Sequence, residues 1–340
     1  MRTKSAVIAT LVLQNTSQSL LMKLASKTSD HKDRFAPTTA VVCAEVCKLL
    51  FSLAVQTKLD GGGKGLVATI NRDVVSKPGD VLLMAVPAAL YVLQNNLAYV
   101  AISHLAPSTF QVLYQLKILT TALCSVLIMR KQLSGVQWSA LVMLSCGAAL
   151  VQFSPDSVGW EVKPSTGYAL YLSNSLIGLG TVLLACATSG IAGVFFESML
   201  KGSDTSLWVR NMELSAYGVL LGLIAVLGGP DSGKILGNGF FFGYNPYVWG
   251  SICLNSLGGI LVALVVKHAD TVVKGFATSV SVVLTALLSS VYFGFQISHY
   301  FISGAIMVFS STILYGNAGA AAAAKATSYP STSSTSRCTA

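Results

Sequence analysis

Residues 107–129, PSTFQVLYQLKILTTALCSVLIM, form an apolar stretch of 23 residues that carries one charge, Lys117, near its centre. A membrane-spanning helix needs about 20 mostly apolar residues, so this stretch is long enough to cross a bilayer. A charge near mid-bilayer costs roughly 2.5–3.5 kcal/mol on insertion scales, and the stretch contains no carboxylate that could neutralise the lysine. It therefore predicts a transmembrane helix with a functional cation inside it.

The rest of the chain follows the same apolar pattern. Of its 340 residues 53% are hydrophobic and 10% are charged, against about 25% charged in soluble domains. The sequence predicts an all-α integral membrane protein with ten transmembrane helices, at residues 5–24, 36–57, 81–102, 107–129, 135–153, 177–200, 206–227, 245–266, 271–293 and 298–316. Polar residues 14–19 (QNTSQS) cross the first of them, which predicts a helix that lines a polar cavity.

The ten predicted helices form a repeat. Residues 121–151 align without a gap on residues 285–315, and nine of the 31 paired positions are identical. Connection lengths agree, because the third and eighth helices are followed by short links and the second and seventh by long ones. Five helices is an odd number, so the second unit must be inverted in the membrane, which is a transporter architecture. The predicted division is 1–153 and 164–317 for the two repeats, 154–163 for the connector and 318–340 for a disordered cytosolic tail.

The formal net charge of +9 would suggest nucleic acid as the partner of a soluble protein, but here the distribution of basic residues matters more. Twelve Lys and Arg residues fall on the side of the two termini and six on the opposite side. The positive-inside rule then predicts cytosolic termini. Six of the seven cysteines lie in predicted spans without the neighbouring histidines that a metal site would need, so no metal site is predicted.

Seven ionisable residues lie inside the predicted spans: Glu45, Lys48, Lys117, Glu197, Arg210, Glu213 and Lys274. Six of them have a structural explanation. Glu45 with Lys48, and Arg210 with Glu213, are three apart on one helix, and Glu197 can reach Lys201. Lys274 can pair with Asp270 or extend to the membrane surface. Only Lys117 is left without such an explanation, which favours a role in ligand binding over an interhelical salt bridge.

The neighbours of Lys117 indicate an anionic ligand with an aromatic part. Phe110, Tyr114, Lys117 and Thr121 share one helix face, and Tyr91 and Asn95 lie four apart near mid-membrane with Gln94 and Asn96 beside them. Asn211 and Ser215 begin a polar face on the seventh predicted helix. Aromatic rings can stack on a base, amides can read its edge and an ammonium suits a phosphate. An anionic amino acid or a carboxylate metabolite fits equally well. No enzyme motif and no cofactor-binding motif is present.

Six segments stand out, in this order along the chain: YVLQNN at 91–96, YQLK at 114–117, SLWVRN at 206–211, FFGY at 241–244, VVK at 265–267 and KGF at 274–276. Together they resemble the Golgi nucleotide-sugar transporters, in the branch that carries CMP-sialic acid and UDP-galactose. The resemblance covers nearly the whole chain up to residue 316. It implies a ten-helix, drug/metabolite transporter-like fold with inverted repeats, and strict antiport of a nucleotide sugar against the matching nucleoside monophosphate.

The resemblance also implies residue roles. Tyr91 and Asn95 contact the nucleoside, Lys117 and Lys274 hold phosphate or an acidic sugar, and Asn211 helps to read the base. The chain departs from the expected pattern of CMP-sialate carriers at two positions, where Phe110 and Ser215 replace tyrosines. Tyr217 can substitute for the second of these tyrosines. These departures leave the choice of nucleotide sugar open.

The expected function is a Golgi antiporter that imports CMP-sialic acid in exchange for CMP. The alternative is an antiporter of UDP-galactose, or another pyrimidine nucleotide sugar, against UMP. A small-metabolite exporter of the same fold would instead need an unpaired carboxylate, and a non-transporting scaffold would leave Lys117 unexplained. The expected partners are the nucleotide sugar, CMP or UMP, and membrane lipid; a homodimer is left open.

Overall fold

The structure is a computed structural model that describes residues 2–28, 35–105, 107–152, 168–229, 232–293 and 298–328. Regular structure in these ranges is helical throughout. The α-helices are α1 (Arg2–Thr28), α2 (Pro37–Leu59), α3 (Gly63–Ile70), α4 (Pro78–Leu83), α5 (Ala85–His104), α6 (Pro107–Tyr114), α7 (Lys117–Met129), α8 (Gly135–Gln152), α9 (Tyr168–Lys201), α10 (Leu207–Gly228), α11 (Ser232–Asn238), α12 (Pro246–His268), α13 (Thr271–Phe293) and α14 (His299–Ser328). A short π-helical segment, Asn71–Val75, lies between α3 and α4.

Eight helical segments of the described ranges are long and apolar enough to cross a membrane. They coincide with the predicted spans other than the first and the fifth. Helix α1 has 27 residues, but its central polar run lowers its hydropathy, and the apolar part of α8, Gly135–Val151, is shorter than the eight. A multi-pass helical membrane protein is thus supported, while the number ten stays a prediction.

The charged stretch 107–129 is not one regular helix. It is interrupted at Gln115 and Leu116, so that α6 ends at Tyr114 and α7 begins at Lys117. The Ile118 N–H donates to the Gln115 carbonyl at 3.1 Å, one residue closer than in an α-helix. This shift frees the Tyr114 carbonyl, which accepts the Cys186 thiol of α9 at 3.7 Å. A side chain from a neighbouring helix thereby satisfies the backbone group that the break releases.

The extensive contacts between helices stay the same when each helix is exchanged for its counterpart in the other half of the chain. The counterparts are α1 and α9, α2 and α10, α5 and α12, α7 and α13, and α8 and α14. Under this exchange the extensive contact of α5 with α9 becomes that of α12 with α1, and the contact of α7 with α9 becomes that of α13 with α1. The remaining two extensive contacts, α2 with α10 and α8 with α14, map onto themselves.

Helices α8 and α14 approach each other most closely at two glycines. A Cβ atom at Gly147 would lie 2.9 Å from the Gly304 carbonyl oxygen, and one at Gly304 would lie 2.6 Å from the Gly147 carbonyl oxygen. Small residues at such positions let helix backbones come into direct contact in a membrane. This pair joins the last helix of the first half of the chain to the last helix of the second half.

The tail differs from the prediction of disorder from residue 318 onward. Helix α14 continues to Ser328 through the alanine run, because alanine has the highest helix propensity and the turns before it are already helical. Residues 329–340 and the predicted connector at 154–163 lie outside the described residues.

Candidate functional site

A cavity of about 300 Å³ lies between α1, α5, α7, α9, α12 and α13. Its volume is at the lower end of the range for small-molecule sites in proteins. Most of its polar lining residues lie on α5, α7 and α13. The lining residues are Asn15, Tyr91, Gln94, Gln115, Lys117, Ile118, Thr121, Ser189, Val262, Thr271, Val272, Lys274, Gly275, Thr278, Ser279 and Val282.

Lys117 lies at the first position of α7, directly after the helix break, and lines the cavity. Its ammonium Nζ is 4.5 Å from the ring centroid of Tyr114, a cation–π contact. Among the described residues it forms no ion pair. A helix N-terminus carries partial positive charge, so the start of α7 adds to the positive potential of the ammonium group and favours an anion in the cavity.

Tyr114 is held in place from two sides. Its ring stacks on Phe110 at a centroid distance of 5.1 Å and an interplanar angle of 20°. Its hydroxyl accepts the Gln94 amide N–H at 2.6 Å. The other amide atom, Gln94 Oε1, is buried without a hydrogen-bond partner in the described structure. The Tyr114 ring is therefore fixed beside Lys117, and Gln94, which lines the cavity, keeps an acceptor with unused capacity.

Lys274 enters the same cavity from the first turn of α13. The predicted pair with Asp270 is wrong, because that carboxylate is used elsewhere. Asp270 Oδ1 caps the helix by accepting the Val273 N–H at 2.7 Å, and Oδ2 lies 3.8 Å from Lys131 Nζ. Within the described ranges Lys274 also forms no ion pair. Two ammonium groups, one from each half of the chain, thus share one cavity.

Three of the eight residues predicted from sequence, Tyr91, Lys117 and Lys274, line the cavity. Tyr114 does not line it but contacts Lys117 through its ring.

Asn95, Asn211, Ser215 and Tyr217 do not line it. Asn95 is exposed on α5, while Asn211 and Ser215 are buried on α10 with Nδ2 and Oγ lacking partners among the described residues. Tyr217 packs with Met84 in an apolar cluster. The binding roles of these four residues stay predictions that the cavity does not support.

The polar run of α1 behaves as predicted. Asn15 lines the cavity, while Gln14 Nε2 donates to the Leu254 carbonyl at 2.9 Å and Gln18 Nε2 donates to Ser251 Oγ at 2.8 Å. Five polar lining residues were not predicted to belong to the site: Gln115, Ser189, Thr271, Thr278 and Ser279. Their residue types do not mark them as site residues, and only the helix break and the packing of α9 against α13 bring them to the cavity.

The three predicted ion pairs inside the spans are present. Nζ of Lys48 is 2.7 Å from Glu45, Arg210 is 2.9 Å from Glu213 and Lys201 is 2.8 Å from Glu197. Two of these pairs also bind a charged residue from another part of the chain. Arg210 also binds Asp80 at 2.9 Å, and Glu197 also binds Lys131 at 2.7 Å. These additional partners are far away in sequence, which is why periodicity could not identify them.

The arrangement suits binding more than chemistry. Two cations can hold an anion with two separated negative charges, and the aromatic and amide groups can contact a planar ring. The described residues contain no group of three or more histidine, cysteine, aspartate or glutamate side chains that could hold a metal ion.

Comparisons with known proteins agree with this arrangement. Residues 1–316 match the nucleotide-sugar transporter family model. The UDP-galactose translocators of Bos taurus and Homo sapiens are each 44% identical to this chain, over 97% and 98% of it and 82% of their own lengths. The UDP-N-acetylglucosamine transporter of Rattus norvegicus is 42% identical, over 90% of this chain and 93% of its own length.

A solved crystal structure with 12% sequence identity superposes with a TM-score of 0.66, over 92% of this chain and 97% of that chain. At this identity the likeness shows a shared fold alone. The family match over most of the chain, together with relatives above 40% identity, is decisive. The chain belongs to the nucleotide-sugar transporter family.

Proposed function

We propose that this chain is an antiporter that exchanges a UDP-sugar for UMP across the membrane. The observation that carries the proposal is the pair of lysines, Lys117 and Lys274, which share one cavity without an anion of their own. The diphosphate of a UDP-sugar carries two negative charges that can pair with them. Tyr91 and Tyr114 supply aromatic surface for the uracil ring, and Gln94 supplies a free acceptor for its N–H donor.

The relatives favour one of the two kinds of nucleotide sugar that sequence reasoning left open. CMP-sialic acid was the first expectation, and its phosphate and carboxylate would also supply two negative charges. The relatives named above are UDP-galactose translocators and a UDP-N-acetylglucosamine transporter. They favour the UDP-sugar alternative, and CMP-sialic acid becomes the competitor that an experiment must reject.

Exchange, in place of one-way transport, follows from the energetics of the two lysines. When the cavity is empty, both ammonium groups lie in a low-dielectric region and repel each other, so the empty carrier should change conformation slowly. A bound nucleotide neutralises the charges and lowers that barrier. A carrier loaded in both directions therefore turns over much faster than one that must return empty.

The contact pattern between the halves supports the proposed architecture of ten spans in two inverted five-helix repeats. Packing of the first and fifth predicted spans into the same bundle supports counting α1 and α8 as membrane helices. A site between inverted repeats is alternately exposed to the two sides when the repeats exchange conformations. We place the protein in the Golgi membrane with cytosolic termini, on the family resemblance and the distribution of basic residues.

A small-metabolite exporter of the same fold is the second candidate, and the ion pairs argue against it. It would need an unpaired carboxylate in the membrane to bind a cation. The three glutamates in the predicted spans, Glu45, Glu197 and Glu213, each form an ion pair in the described structure.

The test is uptake of labelled UMP by purified protein in liposomes, with and without unlabelled UMP inside. Internal UMP should stimulate uptake strongly, and equal rates would mean that the protein does not exchange. UDP-galactose and UDP-N-acetylglucosamine should compete with labelled UMP better than CMP-sialic acid does. GMP should compete poorly, because an unsatisfied buried hydrogen-bonding group costs about 1–3 kcal/mol and a purine needs more room.

Each alternative has its own outcome in the same panel. Stronger competition by CMP and CMP-sialic acid would reinstate the CMP-sialate carrier. Competition by GMP equal to that by UMP would leave an anion carrier that does not read the base. Lys267→Ala changes an exposed lysine away from the cavity and is the matched control for substitutions of Lys117 and Lys274. It should exchange UMP at the rate of the parent protein.

A further inference from the structure

Glu197, near the end of α9, is fully buried and binds three groups at once. Oε1 lies 2.7 Å from Lys131 Nζ and 2.8 Å from Lys201 Nζ, and Oε2 accepts the backbone N–H of Thr271 at 2.9 Å. We call these four residues the Glu197 cluster. Two ammonium groups and a backbone N–H satisfy this buried carboxylate with charge-assisted hydrogen bonds, so it does not depend on water for its hydrogen bonds.

The cluster joins parts of the chain that are distant in sequence. Lys131 comes from the connection between α7 and α8, Lys201 ends α9, and Thr271 begins α13. Lys201 also donates to the Ala269 carbonyl at the end of α12. One carboxylate therefore ties together the ends of helices from both halves of the chain.

The cluster also borders the cavity. Thr271 and Val272 line the cavity where α13 begins, and they are only 3% and 2% exposed. The Thr271 hydroxyl donates to the Gly193 carbonyl of α9 at 3.1 Å, next to the bond that its N–H makes to Glu197. A nucleotide could not leave past this end unless the start of α13 moved away from α9.

We propose that the Glu197 cluster is the latch that closes the cavity on the side of Lys131 and Lys201, and that transport requires it to open. This inference rests on the proposed exchange function and adds a residue that controls access. Opening this end breaks the bond of Glu197 to Lys131, which joins the two halves, and its bond to Thr271, which joins α9 to α13. The bond of Glu197 to Lys201 within α9 can persist. The latch thus opposes opening on one side only and biases which side the cavity faces.

Accessibility of an introduced cysteine tests the latch without any substrate. The reporter is Ser189→Cys in the cavity, placed in protein in which the exposed Cys146 and Cys253 and the tail residue Cys338 are replaced by serine. A membrane-impermeant maleimide is added to one side of oriented proteoliposomes at a time. The reporter should react slowly from the latch side, and Glu197→Gln should raise that rate about tenfold or more, the value expected when charge-assisted hydrogen bonds are lost.

Glu45→Gln is the matched control. It also removes a carboxylate from an ion pair in the membrane, but Glu45 and Lys48 are on one helix and join no two halves. Its ratio of labelling from the two sides should equal that of the parent protein. If Glu197→Gln does not fold, Lys131→Met removes one link and leaves Lys201 and Thr271 bound to Glu197.

A labelling ratio unchanged by folded Glu197→Gln or by Lys131→Met would overturn the latch. The exchange assay is separate, since labelling is measured without nucleotide. If the parent protein does not exchange UMP but Glu197→Gln still changes the labelling ratio as expected, the proposed substrate is wrong and the latch still stands.

Discussion

Replacing each of two membrane lysines by methionine should change stability in opposite directions. Lys117 lies in the cavity without an ion pair, whereas Lys48 binds Glu45 at 2.7 Å. Methionine keeps the length and flexibility of the side chain and removes the charge in both cases. The pair therefore separates a lysine kept for a ligand from a lysine kept for the fold.

The expected size follows from the surroundings of each ammonium group. An unpaired charge at mid-membrane costs about 2.5–3.5 kcal/mol, of which the Tyr114 ring, at 4.5 Å, returns about 0.5–2 kcal/mol. Lys117→Met should therefore stabilise the nucleotide-free protein by about 1–2 kcal/mol. Breaking a buried pair costs about 3–5 kcal/mol, which we reduce to about 2–3 because the Glu45 side chain is 23% exposed.

The assay is thermal unfolding of purified protein in detergent, combined with UMP exchange. Lys117→Met should unfold at a higher temperature than the parent, and Lys48→Met at a lower one, each by about 1–2 °C per kcal/mol for a chain of 340 residues. Lys117→Met should also lose at least about tenfold in exchange, because a charged hydrogen bond to phosphate is worth about 1.5–3 kcal/mol. Equal destabilisation by both changes, or normal exchange by Lys117→Met, would refute the reasoning.

The remaining predictions concern a buried network and the topology. Arg210→Met should destabilise the protein by about 3–5 kcal/mol, because Glu213 is left buried and unpaired, and Arg210→Met with Glu213→Leu should recover most of this loss. Equal thermal stability of the single and double variants would contradict that explanation. Protease added to sealed Golgi vesicles should remove a C-terminal tag, because both termini are predicted to be cytosolic; a tag protected until detergent is added would reverse the topology.

Much of the fold could be predicted from sequence, because a bilayer imposes a simple length rule. The eight helices that satisfy it coincide with predicted spans, and ion pairs three or four residues apart could be located from helical geometry. The break at Gln115 and Leu116 could not be foreseen. It depends on Cys186 of a distant helix accommodating the freed Tyr114 carbonyl, and neither residue type breaks helices by itself.

The site could be predicted where a charge in the membrane had no partner on its own helix. It could not be predicted where a polar residue fitted both a binding role and a packing role. Lys117 stood out because no partner was within reach on its own helix, and the cavity does contain it. Asn211 and Ser215 have the residue types of a binding face, but packing turns them toward the interior of the bundle, outside the cavity. Glu197 looked fully explained by Lys201, and only the folded chain adds Lys131 and Thr271 as partners.

The glycine contact between α8 and α14 has a mechanical consequence. With Gly147 and Gly304 already in backbone contact, the two halves of the protein cannot approach further along this line, and any separation there would lose dense packing. This contact can act as a pivot about which each half tilts while the distance between α8 and α14 stays constant. A bulkier side chain at either glycine would push α8 and α14 apart, and so change how the two halves tilt even though the substitution is far from the cavity.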